Sequence, residues 1–127
     1  MNSPSIITAF GRANYAAPST VPDERFARLS RFRQVRGWEA GLRSFGRQLL
    51  RERPPRAADL AELALPTLIL WGEADIFIPS ATGERLAAVI PQAHLISYPD
   101  CGHIPWEGCR SSFVPDLVAF LQRSTEQ

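Results

Sequence analysis

The sequence predicts an α/β protein: two parallel strands with flanking helices, preceded by a helical segment. Residues 67–71 (TLILW) form a short continuous apolar run between Pro66 and Gly72, the pattern of a strand buried on both faces of a parallel sheet. Residues 94–98 (HLISY) are read as the second strand. Between them, Leu86, Ala87, Val89 and Ile90 lie on one side of a helical pattern that Pro91 stops. Strand, helix and strand in this order imply a right-handed parallel crossover.

The remaining elements follow in chain order. Residues 1–18 carry weak signals, expected as a short helical piece and a loop. At residues 19–23 (STVPD) a helix start is well marked: Ser19 or Thr20 can cap, Pro22 suits the first turn, and Asp23 and Glu24 favour the positive end of the helix dipole. That helix is expected to run to about residue 30. A second, over residues 35–50, carries one apolar stripe of Val35, Trp38, Leu42, Phe45 and Leu49. Gly37, Gly41 and Gly46 each cost it about 1 kcal/mol of helix propensity relative to alanine, so packing must hold it. Pro54 and Pro55 end it, and a polar connection over residues 56–62 leads to the first strand. Ser80 is placed to cap the crossover helix. The last helix buries Phe113, Leu117, Phe120 and Leu121, starts at Ser111 or Ser112, and tolerates Pro115 only in its first turn.

At 127 residues the chain fits one small domain. No apolar run approaches the roughly 20 residues of a membrane span. The start, MNSPSIITAFGR, has neither a basic end nor a long apolar stretch, so no signal peptide is read and a cytoplasmic location is the default expectation. All fourteen basic residues are arginine; eleven precede residue 57, against four acids there. Such asymmetry can mark a nucleic-acid surface. Here the arginines sit at helical spacing among apolar residues without the motifs of a nucleic-acid module, which favours a solvated helix face. Cys101 and Cys109 are expected as free thiols, and with His103 and His94 they match no common zinc pattern.

The chemistry lies in two turns. Asp75 follows the first strand and His103 the second, so both belong at the carboxyl edge of the sheet, where functional groups of open parallel sheets collect. A carboxylate beside an imidazole fixes its tautomer and stabilises the imidazolium, and the ring can then act as general base toward a hydroxyl or a water. Gly72 and Gly102 suit tight turns there. Asp100 is read as a turn residue and Glu73 as a solvent-facing carboxylate. Trp106, with Ile76 and Phe77, is a candidate for lining a pocket.

The segment PTLILWGEADIFIP…RLAAVIPQAHLISYPDCGHIPWE…FVPDLVAFL resembles the C-terminal part of the α/β-hydrolase fold, in which W-G-x-x-D-x-x-x-P supplies the triad acid and a following G-H the histidine. The resemblance covers residues 65–121 and assigns Asp75 as acid and His103 as base. More loosely, residues 18–50 look like the tail of the family's inserted cap, which divides the chain into a helical segment (1–58) and part of the hydrolase core (59–127). The resemblance implies a partial hydrolase fold and a small-molecule substrate in the complete enzyme, with no metal or organic cofactor. It departs from the family in one major respect. These residues contain no G-x-S-x-G nucleophile elbow, and Ser44, in GLRSFG, has the wrong spacing and a mid-helix position. After the histidine, Gly108 stands where the family usually has glutamate, and Glu107 lies one position early. The chain is therefore expected to be a C-terminal portion, inactive alone, and marginal in stability unless self-association or a complementing half covers its open sheet. The alternative is a non-catalytic interaction module that keeps the hydrolase ending.

Overall fold

The computed structural model describes residues 4–52 and 55–125. Pro54, half of the helix stop read at Pro54–Pro55, lies outside the described residues, as do the first three residues of the weakly patterned start.

Two strands, β1 (Thr67–Gly72) and β2 (Ala93–Tyr98), pair in parallel with Thr67 opposite Ala93 and Gly72 opposite Tyr98. The crossover helix α5 (Ala81–Val89) packs on both strands. Its close seat depends on Gly83, where a Cβ would stand 3.0 Å from the Trp71 ring. After β2 come a short helix α6 (Pro105–Gly108) and the long α7 (Arg110–Thr125), both in contact with β1. The Tyr98 hydroxyl donates to Asp116 at 2.8 Å and ties α7 to the end of β2.

The sheet departs from expectation in its burial. Ile69 and Gly72 are buried in β1, while Thr67, Leu68, Leu70 and Trp71 are half-buried. Among the described residues each strand has one neighbour, so an open edge wets residues that a wider sheet would enclose. The last helix begins earlier than expected, at Arg110, which puts Pro115 in its second turn.

The amino-terminal half is helical: α1 (Pro4–Ala13), α2 (Asp23–Arg31), α3 (Trp38–Arg51) and the short α4 (Ala57–Ala61), with 3-10 turns at Pro18–Thr20 and Phe32–Gln34. Pro22, rather than Ser19 or Thr20, occupies the cap position of α2, and no side chain caps that helix. The α4 turn replaces the expected polar connection because the Asp59 carboxylate accepts the Arg56 backbone N–H at 3.2 Å and its guanidinium at 2.8 and 3.1 Å. Helix α3 starts at Trp38 because Gly37, with φ +83°, turns the chain sharply just before it. Val35 therefore falls outside the helix, and Leu42, Phe45 and Leu49 of the predicted stripe are exposed.

The pair α1–α2 is better anchored. Phe26, 1% exposed, meets Tyr15 edge-on at 5.8 Å and carries the Arg12 guanidinium over its ring. Arg12 also pairs with Asp23. No helix among the described residues is long and apolar enough to cross a membrane.

Candidate active site

The turns after β1 and β2 touch through their backbones. Glu73 N–H donates to Tyr98 C=O (3.0 Å) and Ala74 N–H to Cys101 C=O (2.9 Å). Gly72 permits this approach, since a Cβ there would collide with the carbonyls of Cys101 and Gly102. The result is the juxtaposition read from the sequence: His103 Nδ1 lies 2.8 Å from Asp75 Oδ2.

Asp75 is held as well as placed. Its side chain is 6% exposed, and Oδ1 accepts the backbone N–H groups of Phe77 (2.8 Å) and Ile78 (3.0 Å). Burial pushes this carboxyl up, but the His103 hydrogen bond, the Ile78 and Phe77 donors and the imidazole's charge outweigh it and leave it below the usual carboxylate range. An ionised Asp75 accepts Nδ1–H and leaves the Nε2 lone pair of His103 to take a proton. At 35% exposure the histidine side chain is reachable from outside.

Phe77 lies edge-on to the His103 ring at 5.3 Å, and Phe10 of α1 lies 5.3 Å beyond it. Phe10 also lines a cavity of about 530 Å³ whose walls include Leu29, Phe32, Trp38, Leu42 and Ile104, the residue after the histidine. Of the three pocket candidates, Phe77 thus stands beside the pair. Ile76 is 72% exposed. Trp106 lines another cleft, of about 550 Å³, together with Tyr15, Arg25 and Glu107.

The cysteines correct the sequence reading: Cys101 and Cys109 form a disulfide that closes the loop bearing His103. The α6 turn folds Cys109 back until the two Cα atoms stand 5.9 Å apart, within bridging range. Both thiols are thereby removed as metal ligands, and no group of three potential ligands occurs among the described residues.

A second cluster was not legible in the sequence. Arg25 of α2 grips Glu107 of α6 through two bonds, Nε to Oε2 at 2.8 Å and Nη2 to Oε1 at 2.6 Å, while the Tyr15 hydroxyl donates to Oε2 at 2.5 Å. The Arg25 hydrogen bonds hold the Glu107 carboxyl below its usual range, against a smaller opposing effect of burial. Partners 82 and 92 residues apart leave no local pattern to find.

A profile of the alpha/beta hydrolase fold matches residues 11–107. A 2-hydroxy-6-oxononadienedioate/2-hydroxy-6-oxononatrienedioate hydrolase of Pseudomonas putida is 45% identical over 58 residues, which are 45% of this chain and 20% of that protein. Lipase 3 of a Moraxella species is 37% identical over 65 residues, 51% of this chain and 21% of the lipase. Among solved structures, a meta-cleavage product hydrolase from Pseudomonas fluorescens superposes with a TM-score of 0.87 at 22% identity, covering 97% of this chain and 47% of that one. An esterase from Exiguobacterium antarcticum superposes at 0.72, with 21% identity and coverage of 94% and 42%. The chain thus spans about half the length of these solved structures, and its aligned stretches about a fifth of these curated relatives.

Proposed function

Because the chain belongs to the α/β-hydrolase fold family, we propose that it forms the acid and histidine arms of a hydrolase whose nucleophile comes from polypeptide amino-terminal to these residues. The observation that carries this reading is the Asp75–His103 pair, joined at 2.8 Å beyond the carboxyl ends of two parallel strands. In the complete site, Nε2 of His103 takes the proton of the attacking hydroxyl, and Asp75 stabilises the imidazolium so formed. The same proton then passes to the leaving group. The substrate is a small molecule with an ester or similarly activated carbonyl, its apolar portion seated in the cavity that Phe10 and Ile104 border. The relatives named as lipase and as oxononadienedioate hydrolase support this class.

The sheet supports an amino-terminal complement. Thr67 N–H reaches Gln92 C=O at 3.1 Å and Glu73 N–H reaches Tyr98 C=O at 3.0 Å, so the odd-numbered residues of β1 face β2. By the alternation of a strand, Leu68 and Leu70 turn their backbone groups to the open edge, whereas the Gly72 carbonyl already accepts the Asp75 N–H at 3.3 Å in the turn. A further parallel strand there would satisfy them and cover the half-buried side chains.

The test is to co-express the chain with the amino-terminal half of a meta-cleavage product hydrolase and assay p-nitrophenyl ester hydrolysis. A soluble complex whose turnover disappears with His103→Ala is expected. Turnover of such a complex that is indifferent to His103→Ala would overturn the assignment.

A further inference from the structure

The loop that carries His103 is fixed from the helical half at two points, one on each side of the histidine. On the near side, residues 14–16 pack against Gly102 so closely that a Cβ there would stand 2.9 Å from the Ala16 nitrogen and 3.0 Å from the Tyr15 carbonyl carbon. On the far side, Glu107 receives Arg25 and the Tyr15 hydroxyl. Tyr15 takes part in both contacts and is buried, although it lies just beyond the end of α1. Its own N–H returns to Arg12 C=O at 3.1 Å, which fixes the turn that presents it.

From this geometry we infer that Glu107, held by Arg25 and Tyr15, is a positioning residue that couples the placement of the helical half to the placement of His103. The inference rests on reading His103 as the proton acceptor, but its test reads the histidine directly and needs no turnover. A surface ion pair alone seldom holds a loop. Here the arginine contact is two-pronged, a buried tyrosine supplies a third bond to the same carboxylate, and the disulfide from Cys101 to Cys109 limits how far the loop between them can deform. A displacement of α2 that draws Arg25 away therefore releases the loop at Glu107, four residues from the imidazole. The carboxylate does not touch the imidazole, and its effect passes through the loop backbone.

The chain has two histidines, so His94, exposed near the start of β2, serves as an internal control. Carbethoxylation of each by diethyl pyrocarbonate at fixed pH, followed by mass spectrometry, reports access to each ring. Glu107→Gln is expected to accelerate modification of His103 by about three- to tenfold, toward the low end of couplings within one hydrogen-bond network, and to leave His94 unchanged. The exchanged pair Arg25→Glu with Glu107→Arg restores the ion pair without the Tyr15-to-carboxylate bond and is expected to reverse most of the increase in the His103 rate. An unchanged His103 rate in Glu107→Gln would overturn the inference, as would a selective increase that the exchanged pair fails to reverse. If Glu107→Gln loosens the whole chain and accelerates both histidines, Arg25→Gln decides, because it keeps the Tyr15 bond. Selective acceleration of His103 there sustains the coupling, and equal acceleration of both histidines or of neither rejects it.

Discussion

Helix α3 and the segment from β1 to α6 both carry dense apolar patterns, yet they dispose of them in opposite ways. In the second segment Ile69, Ile90, Tyr98 and Cys101 are buried, and the turns of two strands lock Asp75 against His103. In α3 the apolar stripe is covered only at its start, where Trp38 stacks on Phe32: beyond it Leu42, Phe45 and Leu49 are exposed, and Leu50 is 89% exposed. Helix α3 is bound mainly to the 3-10 turn just before it. The difference shows what an apolar stripe specifies. It states that a helix has a partner, and whether the partner lies within these residues depends on the rest of the chain. A strand pair joined by a crossover finds its partner locally, because each element supplies the next one's contact.

The largest effect should come from the site itself. In a complex completed by an amino-terminal half, His103→Ala or Asp75→Asn should lower kcat by about 10⁴-fold in ester assays, with binding of the halves unchanged. A loss of less than tenfold would place the proton transfer elsewhere. Next come the anchors of each half. Phe26→Ala should cost about 3–5 kcal/mol in denaturant unfolding, since Phe26 is the buried centre of the α1–α2 pair. Removing the disulfide with Cys101→Ser and Cys109→Ser should cost about 2–3 kcal/mol, as expected from closing so short a loop, with faster amide exchange confined to residues 101–109. Exchange that rose equally in α2 would mean that the two halves share one cooperative unit. At the small end, Leu50→Ser should change stability by less than about 0.5 kcal/mol while reducing self-association in sedimentation.

Acid should act on the Asp75–His103 pair and on the Glu107 link to α2. Asp75 and Glu107 both sit below their ordinary range in the folded state, so the stability they contribute is complete above their unfolded values, about 3.9 and 4.3, and falls as pH drops through the folded ones. Thermal midpoints should therefore decline below about pH 4, and less steeply in Asp75→Asn. A decline of equal steepness in both proteins would show that Asp75 does not contribute.

The α/β ending was legible because its signals are local: Pro66 and Gly72 bound one strand, Pro91 stops the helix, and Asp75 and His103 each follow a strand directly. The disulfide was not, because the argument for free thiols came from an assumed compartment, whereas the pairing came from the α6 turn that returns Cys109 to Cys101. The link from Tyr15 and Arg25 to Glu107 was hidden for a different reason. Its members belong to separate elements, and only the fold brings them together. The exposure of α3 was missed because periodicity records which face is apolar and says nothing of what covers it.

If these residues carry the acid and the base of a hydrolase site without its attacking group, the chain alone should not turn over esters. The most direct test is p-nitrophenyl ester hydrolysis by the purified 127-residue chain alone, compared with His103→Ala. Both proteins should stay at the rate of the buffer with free imidazole. Enzyme-like turnover by the chain that vanishes in His103→Ala would contradict this, because a nucleophile would then have to lie within these residues.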